Sequence, residues 1–153
     1  MAETAAEEVE AAVRERDLSV GLDLRPATVM ADRSLLERLA TNLLQNAARY
    51  NIRGGGIAVS TVASDGRANL TVVNDGPRVS QAEAETLTTF RRLGAGRTGS
   101  DGFGLGLSIA DSVARAHGGT LTIRARGGGL AVTVELPATA GDPALERAPT
   151  VVG

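Results

Sequence analysis

"SLLERLATNLLQNAARY", residues 34–50, decides the fold. Leu36, Leu39, Leu43 and Ala47 recur at the three-and-four spacing that lines up one stripe of a helix. Ser34-x-x-Glu37 at its start predicts a capping box, and "RGGG" (53–56) predicts its end. Beside that stripe stand Asn42, Asn46, Arg49 and Tyr50, at i, i+4, i+7 and i+8. At about 100° per residue they share one face. An asparagine oxygen is a hard ligand suited to Mg²⁺, which keeps most of its waters and binds substrate phosphates. A guanidinium neutralises phosphate, and a tyrosine ring packs on a base. Taken alone, this pattern is better read as a solvated polar face beside a core tyrosine.

Upstream, residues 3–16 have helix-favouring composition, and Ala5, Val9, Ala12 and Val13 form a thin apolar stripe. "LSVGLDL" (18–24) alternates like a strand, and "ATVMAD" (27–32), beyond Pro26, reads as a second. Downstream, "IAVSTVAS" (57–64) and "RANLTVVN" (67–74) flank Asp65-Gly66, a strong hairpin signal. A short helix is predicted over 80–90 and an irregular Arg/Gly-rich loop over 91–101. A further helix is predicted over 107–117, stopped by Gly118 and Gly119. "TLTIRAR" (120–126) and "LAVTVEL" (130–136) form a last hairpin, and residues beyond Pro137 read as a tail. The expected order is helix, two strands, three times over. It implies an α+β fold, with an antiparallel or mixed sheet covered on one face by helices.

Composition removes several function classes. The chain has 153 residues, 42% hydrophobic and 22% charged, as expected of one globular domain. With no cysteine there is no disulfide framework and no cysteine metal site. The net charge of −2, with no basic cluster, argues against nucleic-acid binding. All 16 basic residues are arginine, so a P-loop and a Schiff-base lysine are both excluded. No segment reads as a signal peptide or a bilayer span.

Two further stretches bear on chemistry. "NDGP" (74–77) is turn punctuation. "DGFGLGLSIA" (101–110) sets Gly102, Gly104 and Gly106 directly before a helix. Backbone N–H groups at a helix start cradle phosphates, while the spacing is not that of a dinucleotide fingerprint. His117, the chain's only histidine, falls where it would pack or cap a helix end.

"NLLQNAARY", "NDGP", "FRRLG" and "GFGLGLSI", taken in order, resemble the N, G1, F and G2 boxes of sensor histidine kinases. These belong to the GHKL ATPases. The resemblance spans about residues 18–137. It implies the Bergerat fold, a two-layer α/β sandwich with a mixed, mostly antiparallel sheet and about three helices on one face. It implies ATP and Mg²⁺ as ligands. Asn46 would hold the metal and Asn42 would line the site. Arg49 would contact phosphate, and Tyr50 would border the base. Asn74 falls where the family has an aspartate that accepts the adenine amino hydrogen. Gly76 would let the backbone pass the base, with Arg78 and Val79 completing that turn. Phe90 would anchor a lid over 91–101, and Arg92 would reach the γ-phosphate. Gly102, Gly104 and Gly106 would close over the phosphates, with the Leu105 and Leu107 amides nearby. Asn46 and Arg92 are the expected catalytic pair.

The sequence departs from that pattern at Thr88 and Thr89, which weaken the F box and leave Phe90 as the lone lid anchor, and at two other places. Asn74 is neutral where aspartate is usual, and Arg78 replaces a glycine. Shifting the register to Asp75 would put Pro77 and Val79 in place of the glycines. Asn42 occupies the position where ATP-hydrolysing members carry a glutamate base, so slow hydrolysis is implied. The expected unit is a helical segment (1–17), an ATP-binding catalytic domain (18–137) and a tail (138–153). It would transfer the γ-phosphoryl to a histidine on a dimerisation domain that this sequence lacks, and serve a response regulator in the cytoplasm. It would touch neither nucleic acid nor membrane. The alternatives are an anti-sigma-type serine kinase and a nucleotide-responsive binding module without transfer.

Overall fold

In the computed structural model the described residues are 2–77, 80, 82 and 103–138. Helix α1 (Ala2–Arg16) leads into strand β1 (Ser19–Leu24), followed by helix α2 (Arg33–Arg49). Strands β2 (Gly56–Ser64) and β3 (Arg67–Asp75) come next, then helix α3 (Phe103–Ala116), β4 (Thr120–Ala125) and β5 (Gly129–Pro137). The strands form one sheet in the order β1-β2-β3-β5-β4. β1 pairs with β2 in parallel, from Ser19↔Gly56 to Leu24↔Thr61. α2 supplies the crossover that a parallel pair requires. The remaining pairings are antiparallel. The expected mixed, helix-covered α+β sandwich is the fold observed.

Strand alternation places the core on one face. Ile57, Val59 and Thr61 of β2, Leu70 and Val72 of β3, and Val132 and Val134 of β5 are buried. They meet the stripe Leu36, Leu39, Leu43 and Ala47 of α2, all buried as the periodicity predicts, together with Leu107, Ala110 and Ala114 of α3. Asp65 (φ 53°) and Gly66 (φ 74°) make the two-residue turn between β2 and β3. Both are left-handed, which matches the twist of the flanking strands.

Three sequence expectations are corrected. Residues 27–32 form no strand, so the sheet has five strands among the described residues rather than six. The last sheet contact there is Arg25 N–H to Thr61 O, at 3.2 Å. Beyond it Ala27 is buried, and Val29 and Ala31 pack against the core on the way to α2, while Met30 is 85% exposed. The capping box does not form either. Asp32, with extended ψ of 119°, is the N-cap, and its carboxylate accepts from Leu35 N. Glu37 pairs instead with Arg33 at 3.4 Å. Finally, α3 begins at Phe103 rather than Leu107, so Gly104 and Gly106 are helical. The helix predicted over 80–90 and the loop over 91–101 lie outside the described residues apart from Ser80 and Ala82, as does the tail beyond Ala138.

Candidate functional site

α2 lies between the two other helices among the described residues. On one flank, Gln45, Ala48 and Arg49 share a groove of about 280 Å³ with Val9, Ala12, Glu15 and Arg16 of α1. Asn42 and Asn46 sit on the other flank, about 120° and 160° around the helix from Ala48 by the 100° step, and Arg49 lies between, about 20° from Asn42. That flank faces α3. The two helices run in opposite directions, because Asp32 N–H at the start of α2 donates to His117 Nε2 just beyond the end of α3 (3.2 Å). Asn42 is ten residues after Asp32, and Leu107 is ten residues before His117. Each therefore stands about 15 Å along its helix from that contact. The asparagine face and the glycine-flanked helix start thus come level with each other.

Asn46 is only 5% exposed. Its Oδ1 and the Nδ2 of half-buried Asn42 are buried and find no hydrogen-bond partner among the described residues. A buried polar atom without a partner costs about 1–3 kcal/mol. Two such atoms, one turn apart on the same face, mark a place where something polar belongs.

The far wall comes from β3. Its core-facing row runs Ala68, Leu70, Val72 and then Asn74, which is 3% exposed. Asn74 Nδ2 donates to Asp75 O at 3.0 Å, so its Oδ1 is left as an acceptor. Gly76 follows, and a Cβ there would lie 2.5 Å from Tyr50 O and 3.3 Å from Asn74 Nδ2. No side chain fits, and so the end of β3 rests against Tyr50, the half-buried C-cap of α2. Asp75, one residue from Asn74, belongs to the opposite face. Its Oδ2 accepts from Gly56 N at 2.9 Å, and its Oδ1 pairs with Arg126 at 3.4 Å. Both of its oxygens are committed to joining β2, β3 and the β4–β5 turn.

Of the residues singled out in the sequence, Tyr50, Asn74 and Gly76 meet at the end of β3, Asn42 and Asn46 stand on α2 two turns and one turn before Tyr50, and Arg49 is exposed on the last turn. Gly104, Leu105 and Gly106 lie in the first turns of α3, where helical N–H groups lack partners within the helix. Leu107 differs from expectation. It stands one turn in, where its N–H belongs to the helical ladder, and its side chain is core. Arg78, Val79, Phe90, Arg92 and Gly102 lie outside the described residues. His117 has the packing role expected: Nδ1 meets Val113 O at 2.8 Å while Nε2 accepts from Asp32.

Sequence reading missed Asn51. It is buried, and its Nδ2 donates to Ala47 O (3.3 Å) and Gly56 O (2.9 Å) while its Oδ1 accepts from Ile52 N (2.9 Å). An asparagine just past a helix end was the available signal. No group of three or more His, Cys, Asp or Glu side chains that could hold a metal occurs among the described residues. A cation here would need an amide oxygen and the ligand's own oxygens.

A helix-covered mixed sheet, with an asparagine-bearing central helix facing a glycine-flanked helix start, defines an ATPase-type nucleotide domain. Residues 31–140 match the family described as histidine kinase-, DNA gyrase B- and HSP90-like ATPase, and the chain belongs to it. Among curated relatives, the sensor protein CutS of Streptomyces coelicolor is 48% identical over 137 residues, covering 87% of this chain and 33% of its own length. The signal transduction histidine-protein kinase BaeS of Escherichia coli is 37% identical over 134 residues, 82% of this chain and 29% of its own. The chain thus spans about a third of the length of these relatives. Among solved structures, the mycobacterial sensor histidine kinase MprB aligns with a TM-score of 0.70 at 31% identity, covering 89% of this chain and 93% of that one. Full-length ShkA in complex with AMPPNP aligns with a TM-score of 0.72 at 27% identity, covering 93% of this chain and 30% of that one. The part of these relatives that the chain matches is an ATPase domain of this family. No described helix is long and apolar enough to cross a membrane.

Proposed function

We propose that this domain binds Mg-ATP between α2, the end of β3 and the start of α3, and passes the γ-phosphoryl to a histidine carried on a dimerisation segment. The observation that carries the reading is the pair of buried, unmet polar atoms, Asn46 Oδ1 and Asn42 Nδ2, on the flank of α2 that faces α3. An amide oxygen fits Mg²⁺, a hard cation that takes few protein ligands and shares the phosphates' oxygens. Asn46 would hold the ion, which when bound neutralises phosphate charge. Asn74 Oδ1, held as an acceptor, would receive the adenine amino hydrogen. Tyr50 would border the base, and Arg49 would approach the phosphates from the exposed turn. The N–H groups opening α3, near Gly104 and Leu105, would meet phosphate oxygens. Arg78, Val79, Phe90, Arg92 and Gly102 would complete the enclosure, with Arg92 toward the γ-phosphate.

In the reaction an imidazole nitrogen forms a P–N bond as the bridging P–O bond to ADP breaks. Positioning and charge neutralisation carry such transfers. Asn42 cannot take a proton from water, so the bound nucleotide would hydrolyse slowly. The phosphohistidine would then supply a response regulator. Because ATP is the substrate, the domain would work in the cytoplasm. Residues 18–137 would form the catalytic unit, with 1–17 as its leading helix and 138–153 as its tail.

Calorimetry with ATP or ADP, with and without Mg²⁺, followed by incubation with a dimerisation domain from a sensor kinase, tests this. Saturable Mg-dependent binding and acid-labile phosphohistidine are expected. Nucleotide binding that leaves the Asn42 and Asn46 side-chain amide resonances unmoved would overturn it.

A further inference from the structure

Arg16, the last residue of α1, reaches across the groove to the end of α2. Its Nη1 donates to three main-chain carbonyls: Ala48 O at 3.2 Å, Arg49 O at 2.5 Å and Asn51 O at 3.2 Å. Its own carbonyl accepts from Gly54 N at 2.7 Å. A helix ends with carbonyls that have no partner within the helix, and the partial negative charge there favours a cation. Arg16 meets both needs from a different helix, 32 to 35 residues away in the chain. The carbonyls it holds bracket Tyr50, whose own carbonyl is pressed against Gly76. Arg16 therefore grips, from behind, the turn that presents Arg49 and Tyr50.

We propose that Arg16 is a positioning residue for the nucleotide site. It fixes the last turn of α2 so that Arg49 and Tyr50 face the nucleotide, and it makes the seat of α1 on α2 depend on whether nucleotide is bound. The inference rests on the Mg-ATP reading above and deepens it. Arg16 touches no nucleotide itself. Coupling is reciprocal: if Arg16 strengthens binding, binding must strengthen the Arg16 contacts by the same factor.

The test uses the full chain, Mg-ADP as probe, and temperatures well below every melting point. Arg16→Met should weaken Mg-ADP binding about fivefold, at the lower end of ordinary coupling. Arg16→Lys should recover most of the loss, because an ammonium keeps the positive charge and offers three donors. Leu136→Val, a core change in β5 at the opposite end of the sheet from Gly56 and Asp75, lowers the melting temperature and should bind like the wild type. The proposal is overturned if Arg16→Met binds like wild type, if Leu136→Val weakens binding as much, or if Arg16→Lys binds no better than Arg16→Met. Should Arg16→Met not fold, hydrogen exchange at the Gly54 amide decides. Mg-ADP is expected to slow it severalfold in the wild type, and an unchanged rate overturns the proposal. A wild-type chain that binds no nucleotide fails the function reading instead, so the two failures are distinguishable.

Discussion

The two ends of the α2–α3 pair are built to opposite standards. At the Asp32 end every polar group named has a partner. The Asp32 carboxylate accepts from Leu35 N at 3.1 Å, and its N–H is taken by His117 Nε2. The other imidazole nitrogen meets Val113 O, so one neutral tautomer satisfies both contacts. At the Asn46 end, α2 carries two buried amide atoms with no partner among the described residues. One end closes the helix pair, and the other is left open to a polar guest at a cost to stability.

Removing the guest's anchor should therefore separate activity from stability. Asn46→Ala is expected to lower Mg-dependent phosphoryl transfer about 100-fold, the scale for losing one preorganised polar contact. It should also stabilise the domain by about 1 kcal/mol, since alanine is the better helix former and a buried unmet atom disappears. For a chain of this size that is a rise in melting temperature of about 2–4 °C. A variant that lost activity by melting would contradict the contrast between the two ends.

Asn51→Ala should do the reverse. Asn51 is as buried as Asn46, but three contacts satisfy it, and they join the end of α2 to the start of β2. Its loss leaves Gly56 O and Ile52 N short of partners, at a cost of about 2 kcal/mol in denaturant unfolding. Nucleotide affinity measured on the remaining folded fraction should change far less than for Asn46→Ala. Two buried asparagines five residues apart would then be told apart by one pair of measurements.

Asn46 was legible in the sequence and Asn51 was not, for a physical reason. Periodicity reports which residues share a face of one helix, so Asn42, Asn46, Arg49 and Tyr50 could be grouped without any structure. The same logic found the α2 stripe, and Asp65-Gly66 declared its hairpin. Partners from distant parts of the chain leave no such trace. The sequence pointed to Ser34 as the cap of α2, and the structure uses Asp32 instead. The one used also donates its N–H to a histidine 85 residues away. The stretch 27–32 has a strand's composition, yet its apolar residues seal the core instead of joining the sheet. The grip of Arg16 on α2 crosses 35 residues and carries no motif. Asn74 and Asp75 could be assigned only through the glycine that follows them. The alternation of β3 then separated them physically, one on each face of the sheet.

That separation sets the third expectation. Asn74→Asp should tighten ATP binding about tenfold, because a charged acceptor exceeds a neutral one by about 1 kcal/mol or more. The carboxylate would lose the Nδ2 donor now given to Asp75 O, and this trims the gain. Titration of ATP against GTP would read both affinity and base preference. Asp75→Asn, by contrast, should lower stability through its contacts to Gly56 and Arg126 and leave the ATP-to-GTP preference unchanged.

The smallest effect concerns strain in the scaffold itself. α1 and α3 end in the same turn. Leu18 N–H returns to Val13 O at 2.9 Å, and Gly119 N–H returns to Ala114 O at 2.8 Å. In each the residue before the returning N–H is left-handed, Gly118 at φ 78° and Asp17 at φ 55°. Glycine adopts that conformation freely, whereas a side chain makes it costly. Asp17→Gly should thus stabilise the domain by about 0.5–1 kcal/mol once the greater freedom of glycine in the unfolded chain is counted. The Arg16 side chain remains in place, so Mg-ADP affinity should stay within about twofold, below the usual scale of coupling between sites. Thermal unfolding and calorimetry on the same sample check both halves. A gain in stability without loss of binding here, set beside Asn46→Ala, would show that strain at a scaffold end is dispensable while unmet polarity at the open end is not. A loss of binding with Asp17→Gly would instead mean that the turn joining α1 to β1 takes part in holding α2, and that the scaffold reaches further into the site than the Arg16 contacts alone.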